Sequence, residues 1–161
     1  MFDKTHFELA LTNYKKDFST RWTNEKYKWE AVKIFQDNWD INASNFSDML
    51  PKMQTDITLT QGDKVLIIDA KYYAHTTQQN YDTHKIHSSN LYQIFTYVKN
   101  MTSVSHKKVS GMLLYARTDE TIQPDNVYQM SGNQISVKTL DLNKDFSEIS
   151  AQLNSIITEH F

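Results

Sequence analysis

The chain has 161 residues, 17 Lys and Arg against 19 Asp and Glu, a net charge of −2, no cysteine and three glycines. That size supports one ordinary domain with a self-sufficient core. The composition excludes disulfides, thiolate zinc sites and a cysteine nucleophile, and the three glycines are not spaced for a phosphate-cradling loop. No apolar stretch reads as a signal peptide or membrane span, so a soluble cytoplasmic protein is expected. Charge is uneven: residues 51–108 carry a balance of +3 and residues 109–161 a balance of −4. The positive middle is a candidate face for a polyanion, beside the simpler reading of a solvated surface.

In chain order, Thr5-His6-Phe7-Glu8 is a capping-box pattern, followed at helical spacing by Phe7, Leu11, Tyr14 and Phe18. A second helix is expected over residues 24–39, with Val32, Phe35 and Trp39 on one face, and a short third one burying Phe46, Met49 and Leu50. These make residues 1–50 a helical segment. After Pro51 the pattern changes. Residues 55–59 alternate as a strand, Gly62-Asp63 signals a turn, and the run at 65–68 reads as a strand buried on both faces. Residues 80–87 are polar and expected as loop. A helix is expected over 88–100, strands over 109–116 and 135–142, and a closing amphipathic helix over 145–160. Residues 51–161 are therefore expected as one α/β domain, a mixed central sheet flanked by helices.

The chemistry concentrates in Thr55-Asp56 and Ile67-Ile68-Asp69-Ala70-Lys71. Side chains two apart on a strand share a face, so Asp69 and Lys71 emerge together at the end of an apolar strand. An acid and a lysine there need partners, because burying either alone is costly. Asp56 can add a second carboxylate across the hairpin. Asp56, Asp69 and the Ala70 carbonyl form a hard, oxygen-rich set suited to Mg²⁺, with Mn²⁺ as an alternative. Lys71 beside them can orient or help deprotonate a water, or stabilise charge on a phosphate.

Asp56…Asp69-x-Lys71 resembles the motif of the PD-(D/E)XK nucleases, with Thr rather than Pro before Asp56. Gln93-Ile94-Phe95-Thr96-Tyr97 matches the Q-x-x-x-Y pattern found on the following helix in many of them. Spacing four puts Gln93 and Tyr97 on one helix face. The segments 52–56, 66–73 and 88–97 resemble, more narrowly, the McrC-type nuclease domain of McrBC modification-dependent restriction systems. The resemblance implies metal-dependent hydrolysis of DNA phosphodiesters in defence against foreign DNA. It makes Asp56 and Asp69 metal-binding carboxylates, Lys71 the catalytic lysine, and Gln93 and Tyr97 assistants from the helix. It implies DNA and a GTP-driven McrB-like motor subunit as partners, and a homodimer would supply the two sites that two cuts need.

Residues 25–32 and 35–40 look similar to an N-terminal helical segment of McrB-type motor proteins. A fused remnant is therefore expected, with an abrupt junction near Leu50-Pro51. Without a Walker motif the chain itself is not expected to hydrolyse GTP. Glu8, Glu25 and Glu30 are candidates for an additional acid from a preceding helix, although each reads more simply as solvated. His84 and His87 read as exposed or phosphate-contacting rather than zinc-binding. Tyr72 and Tyr73 flank the lysine, one suited to the core and the other to a nucleotide. Lys107 and Lys108 read as a solvated loop, with backbone-phosphate contact as the minor alternative. Two other readings stand beside the nuclease: a non-catalytic module binding DNA or a subunit, and an independent dimeric repair- or junction-type nuclease.

Overall fold

A computed structural model describes the short strand β1 (Glu30–Ala31) and residues 55–73, 77–80 and 83–161. The other elements are β2 (Ile57–Gln61), β3 (Lys64–Lys71), β4 (Thr77–Asn80), β5 (Thr83–Ile86), α1 (Ser88–Val104), β6 (Lys108–Ala116), β7 (Asn126–Met130), β8 (Asn133–Leu140) and α2 (Phe146–Thr158). Among the described residues the main sheet runs β1-β2-β3-β6-β8-β7, while β4 and β5 form a separate two-stranded ribbon. Strands β3, β6 and β8 are mutually parallel, and β2 and β7 flank them antiparallel. This is the mixed α/β sheet with flanking helices that the sequence leads one to expect.

The apolar runs of β3 and β6 are continuous because both faces of these strands are covered. Val65 and Ile67 point to one face, where they pack with Leu113, Ile135 and Val137 under Ile94, Val98 and Met101 of α1. Leu66 and Ile68 point to the other, packing with Met112, Leu114 and Leu140 under Ile149, Leu153 and Ile156 of α2. Each such aliphatic side chain contributes about 1.5–3 kcal/mol on burial. Gly111 sets how closely α1 sits. A Cβ there would lie 2.7 Å from Val98 Cγ2 and 2.9 Å from Ile94 Cγ1, so the bare glycine lets the helix rest on β6. That approach brings α1 over the end of β3.

Three expectations need correction. Glu30 and Ala31, inside the helix expected over 24–39, are extended and pair with Thr60 and Leu59. The outer edge of β2 offers a row of unpaired backbone groups, and pairing satisfies them where a helix could not. The loop expected over 80–87 instead contains β5, paired with β4 from Thr77↔Ile86 to Asn80↔Thr83. Its residues do not alternate apolar with polar, and it pairs outside the main sheet. Strand β7 was not expected at all. Residues Asn126–Gln129 are exposed, and the strand is defined by its partner and by a tight turn at Ser131 (φ 49°) and Gly132 (φ 83°). Two successive left-handed residues match the right-handed twist of a two-residue hairpin. The helices expected over 5–18 and after 42 lie outside the described residues.

Candidate active site

The site grows from the hairpin of β2 and β3. Their register pairs Ile57 with Ile68, so one further step sets Asp56 opposite Asp69. Ser110 Oγ donates to the Val65 carbonyl at 3.2 Å, which shows that this carbonyl faces β6. Backbone groups alternate sides along a strand, so Ala70 turns both its N–H and its C=O toward the β2 edge. There the Ala70 N–H donates to Asp56 Oδ2 at 2.8 Å. One exposed carboxylate, one buried carboxylate and one main-chain carbonyl thus converge where the pairing of β2 ends.

Asp69 is 3% exposed and lies on the α1 face, continuing the line of Val65 and Ile67. Burial raises its carboxyl to about 6; the neighbouring Lys71 ammonium opposes the shift, and the adjacent Asp56 adds to it. Lys71 Nζ lies 2.7 Å from Asp69 Oδ2. This close ion pair gives the buried Oδ2 its counter-charge. Lys71 also donates to Gln93 Oε1 at 3.0 Å, and Gln93 Nε2 donates to the Tyr97 hydroxyl at 2.9 Å. The four-residue spacing that aligns Gln93 and Tyr97 on α1 therefore serves to fix the ammonium.

The residues present fit a divalent metal. Two carboxylates and a main-chain carbonyl are hard oxygen donors, the chemistry a divalent cation of this kind takes. Among the described residues no three His, Cys, Asp or Glu side chains converge as a metal-binding group. Water and substrate oxygens would complete the shell, as Mg²⁺ commonly requires.

Behind Lys71 lies a second polar cluster that sequence reasoning missed. Asn90, 4% exposed, accepts from the Tyr73 hydroxyl at 3.2 Å and donates to the Tyr115 hydroxyl at 3.0 Å. Tyr115 is opposite Lys71 on the parallel neighbour strand and is 1% exposed. The Tyr73 ring stands 5.1 Å from that of His87, centroid to centroid. The available signal was an asparagine in the buried i, i+4 stripe Asn90, Ile94, Val98 of α1.

Of the other candidates, Glu8 and Glu25 lie outside the described residues, and Glu30 and His84 are described in backbone alone. Tyr72 and Tyr73 are both exposed enough to meet a ligand, at 37% and 38%. Lys107 and Lys108 are at the wrong end. Lys108 pairs with Lys64, seven residues of strand from Lys71, or about 23 Å.

This architecture is that of a restriction-endonuclease-like α/β core, with paired aspartates across β2 and β3 and a lysine two residues on. The chain belongs to the McrBC family: residues 18–116 match the family described as McrBC 5-methylcytosine restriction system component. It carries an McrC-like domain. It is 34% identical over 167 residues to the Escherichia coli K12 protein named type IV methyl-directed restriction enzyme EcoKMcrBC. That alignment covers 99% of this chain and 45% of the relative, so the chain spans less than half the length of the protein it matches. Its fold is similar to a chain of the tetradecameric assembly of Thermococcus gammatolerans McrB AAA+ hexamers with bound McrC. There the TM-score is 0.51 at 14% identity, covering 93% of this chain and 31% of that one. The family match runs through Leu50-Pro51, and one relative aligns along both sides. The abrupt junction expected there, and with it the fused remnant, is not found.

Proposed function

We propose that the chain is the nuclease part of an McrBC-type restriction system, hydrolysing DNA phosphodiesters with Mg²⁺ or Mn²⁺. The observation that carries this reading is the meeting of Asp56, Asp69 and Lys71, with Asp69 buried and its Oδ2 2.7 Å from the ammonium. Asp56, Asp69 and the Ala70 carbonyl would hold the metal. When bound, the metal stabilises charge on the phosphoryl oxygens and makes water a better nucleophile. Lys71, held as an ammonium, would orient the attacking water and stabilise charge on the phosphate, while the water's proton passes to solvent and the leaving sugar oxygen takes one up. The water oxygen bonds to phosphorus as the P–O bond to the leaving sugar oxygen breaks, with no covalent enzyme intermediate. Gln93 holds the Lys71 ammonium, and Tyr97 holds Gln93, so the helix fixes the lysine in one direction.

Family membership supports a place in a restriction system, and the solved assembly of McrB hexamers with McrC supports an McrB-like motor as partner. A homodimer would present one site to each strand of a duplex. The test is plasmid cleavage with Mg²⁺ or Mn²⁺ and with EDTA, beside Lys71→Ala, with and without an McrB-type motor subunit and GTP. Metal-dependent nicking that Lys71→Ala removes supports the reading. Nicking that persists in Lys71→Ala or in EDTA defeats it.

A further inference from the structure

Gln93 holds Lys71 by its tip, but the main chain that carries the lysine needs holding too. Strand β2 pairs with β3 only as far as Ile68. From Asp69 to Lys71 the backbone ladder is with β6 alone, and it stops at Lys71, opposite Tyr115. The buried acid and the lysine therefore sit on a strand end laddered on one side, where strands open first. A shift of an ångström in that backbone would carry the ammonium off line, whatever Gln93 does at the tip.

Tyr73, two residues past Lys71, supplies the next fixed point. Its hydroxyl donates to Asn90 Oδ1 of α1 at 3.2 Å, and Asn90 Nδ2 donates to the Tyr115 hydroxyl at 3.0 Å. Tyr115 is the register partner of Lys71 itself. The contacts thus close a circuit around the lysine: β3 to α1, α1 to β6, and β6 back to β3 through the ladder. Packing aims the Tyr73 hydroxyl, since its ring lies 6.2 Å from that of Tyr115 and 5.1 Å from that of His87. Asn90 and Tyr115 are buried, and a buried carboxamide is tolerated only with partners. Both ends of Asn90 are used, so tilting any member of the network leaves another unpaired. Burial, opposed by the Asn90 hydrogen bond and helped by Tyr73 and Asp69, raises the Tyr115 phenol, which stays neutral. Asn90 and Gln93 are three apart on one face of α1, so the same helix face reaches Lys71 by two routes.

We infer that Tyr73, Asn90 and Tyr115 are positioning residues for the metal-dependent cleavage, fixing the main chain at Lys71 as Gln93 fixes its ammonium. This rests on the nuclease reading above and deepens it. The three act through Lys71 and not on the reacting atoms.

The test compares the full chain with Tyr73→Phe, Tyr115→Phe and their double variant, each of which keeps its ring and loses only a hydroxyl. Amide hydrogen exchange in EDTA gives a readout independent of cleavage. Tyr73→Phe is expected to speed exchange of residues 69–73 by about fivefold, with residues 109–113 of β6 unchanged. Native exchange at 69–73, or an equal rise along the whole chain, overturns the inference. Cleavage is then read as kcat and KM for a DNA duplex in Mg²⁺, with the McrB-type subunit and GTP present, beside Lys71→Ala. Tyr73→Phe is expected to lower kcat by about 3- to 10-fold, with KM and metal affinity at native values. The double variant is expected to lose no more than the worse single one, because both hydroxyls act through Asn90. Losses that multiply, or a raised KM at native kcat, overturn the inference; the second would give Tyr73 to DNA binding. Cleavage that needs Lys71 yet keeps its native rate in Tyr73→Phe overturns the inference alone. Cleavage that Lys71→Ala leaves intact overturns the nuclease reading, and the inference with it.

Discussion

Lys71 and Gln93 are joined, Nζ to Oε1 at 3.0 Å, across the space between β3 and α1. The same ammonium is 2.7 Å from Asp69, so a single lysine links the strand's buried acid to the helix. Gln93→Ala should therefore disturb Lys71 without touching Asp56 or Asp69. The expected result is cleavage slowed by about 10- to 100-fold, against about 10²- to 10⁴-fold for Lys71→Ala, with metal affinity unchanged in Gln93→Ala. Tyr97→Phe, one bond further out, should cost less than Gln93→Ala. Single-turnover cleavage with parallel metal titration checks the order, and an equal loss in all three would break it.

Asp69 opposes folding at neutral pH. A carboxyl raised from 3.8 to about 6 favours the folded state below pH 3.8 and loses that contribution as pH rises through 6. Over about two pH units this amounts to roughly 3 kcal/mol, less what the Lys71 contact loses on substitution. Asp69→Asn in EDTA should raise the melting temperature by about 3–6 °C at pH 8 and by nothing near pH 4. Thermal melts at the two pH values decide it; an Asn variant less stable at pH 8 would contradict the assigned cause. The same substitution should remove metal-dependent cleavage.

His160 works in the opposite direction. Burial holds its imidazole below the usual value, with Nε2 3.0 Å from Ser136 Oγ and Nδ1 2.9 Å from the Ile156 carbonyl. A neutral ring donating from Nδ1 and accepting at Nε2 satisfies both partners. Its stabilising contribution is present above the unfolded pKa near 6.5 and is lost as pH falls through the lower folded value. His160→Gln should flatten the acid limb of the melting temperature between pH 7 and pH 5. A native-like slope in the variant would place that limb elsewhere.

Gly111→Ala should destabilise the fold by about 1–3 kcal/mol, because its methyl would meet Val98, Ile94 and Ile135 at 3.0 Å or less. Combining it with Val98→Ala should recover part of the loss, measured by urea denaturation. Additive losses would mean that the contact with Val98 is not the cause.

Much of this was readable in advance, for reasons that differ by element. The run at 65–68 and the stripe Ile94, Val98 were legible because each is buried by its own period. The aspartate pair was legible because the turn at Gly62-Asp63 fixes a register that sets residue 56 against residue 69. Strand β7 was not, since its exposed residues carry no burial pattern and only Ser131-Gly132 marked it. The ribbon was hidden because its sequence does not alternate apolar with polar. Asn90 and Tyr115 were hidden differently: they meet through the parallel pairing of β3 with β6, a contact between distant parts of the chain.

Both aspartates and the lysine lie on one hairpin, while the helix and the ribbon are later arrivals along the chain. The charged cluster is thus closed by a contact of short sequence separation, the kind that forms early in folding. Lys71, two residues from Asp69 on the same hairpin, is thus a counter-charge that needs no contact from the distant strand β6. A lineage could lengthen or recode the stretch between Lys71 and Ser88 without separating those three residues.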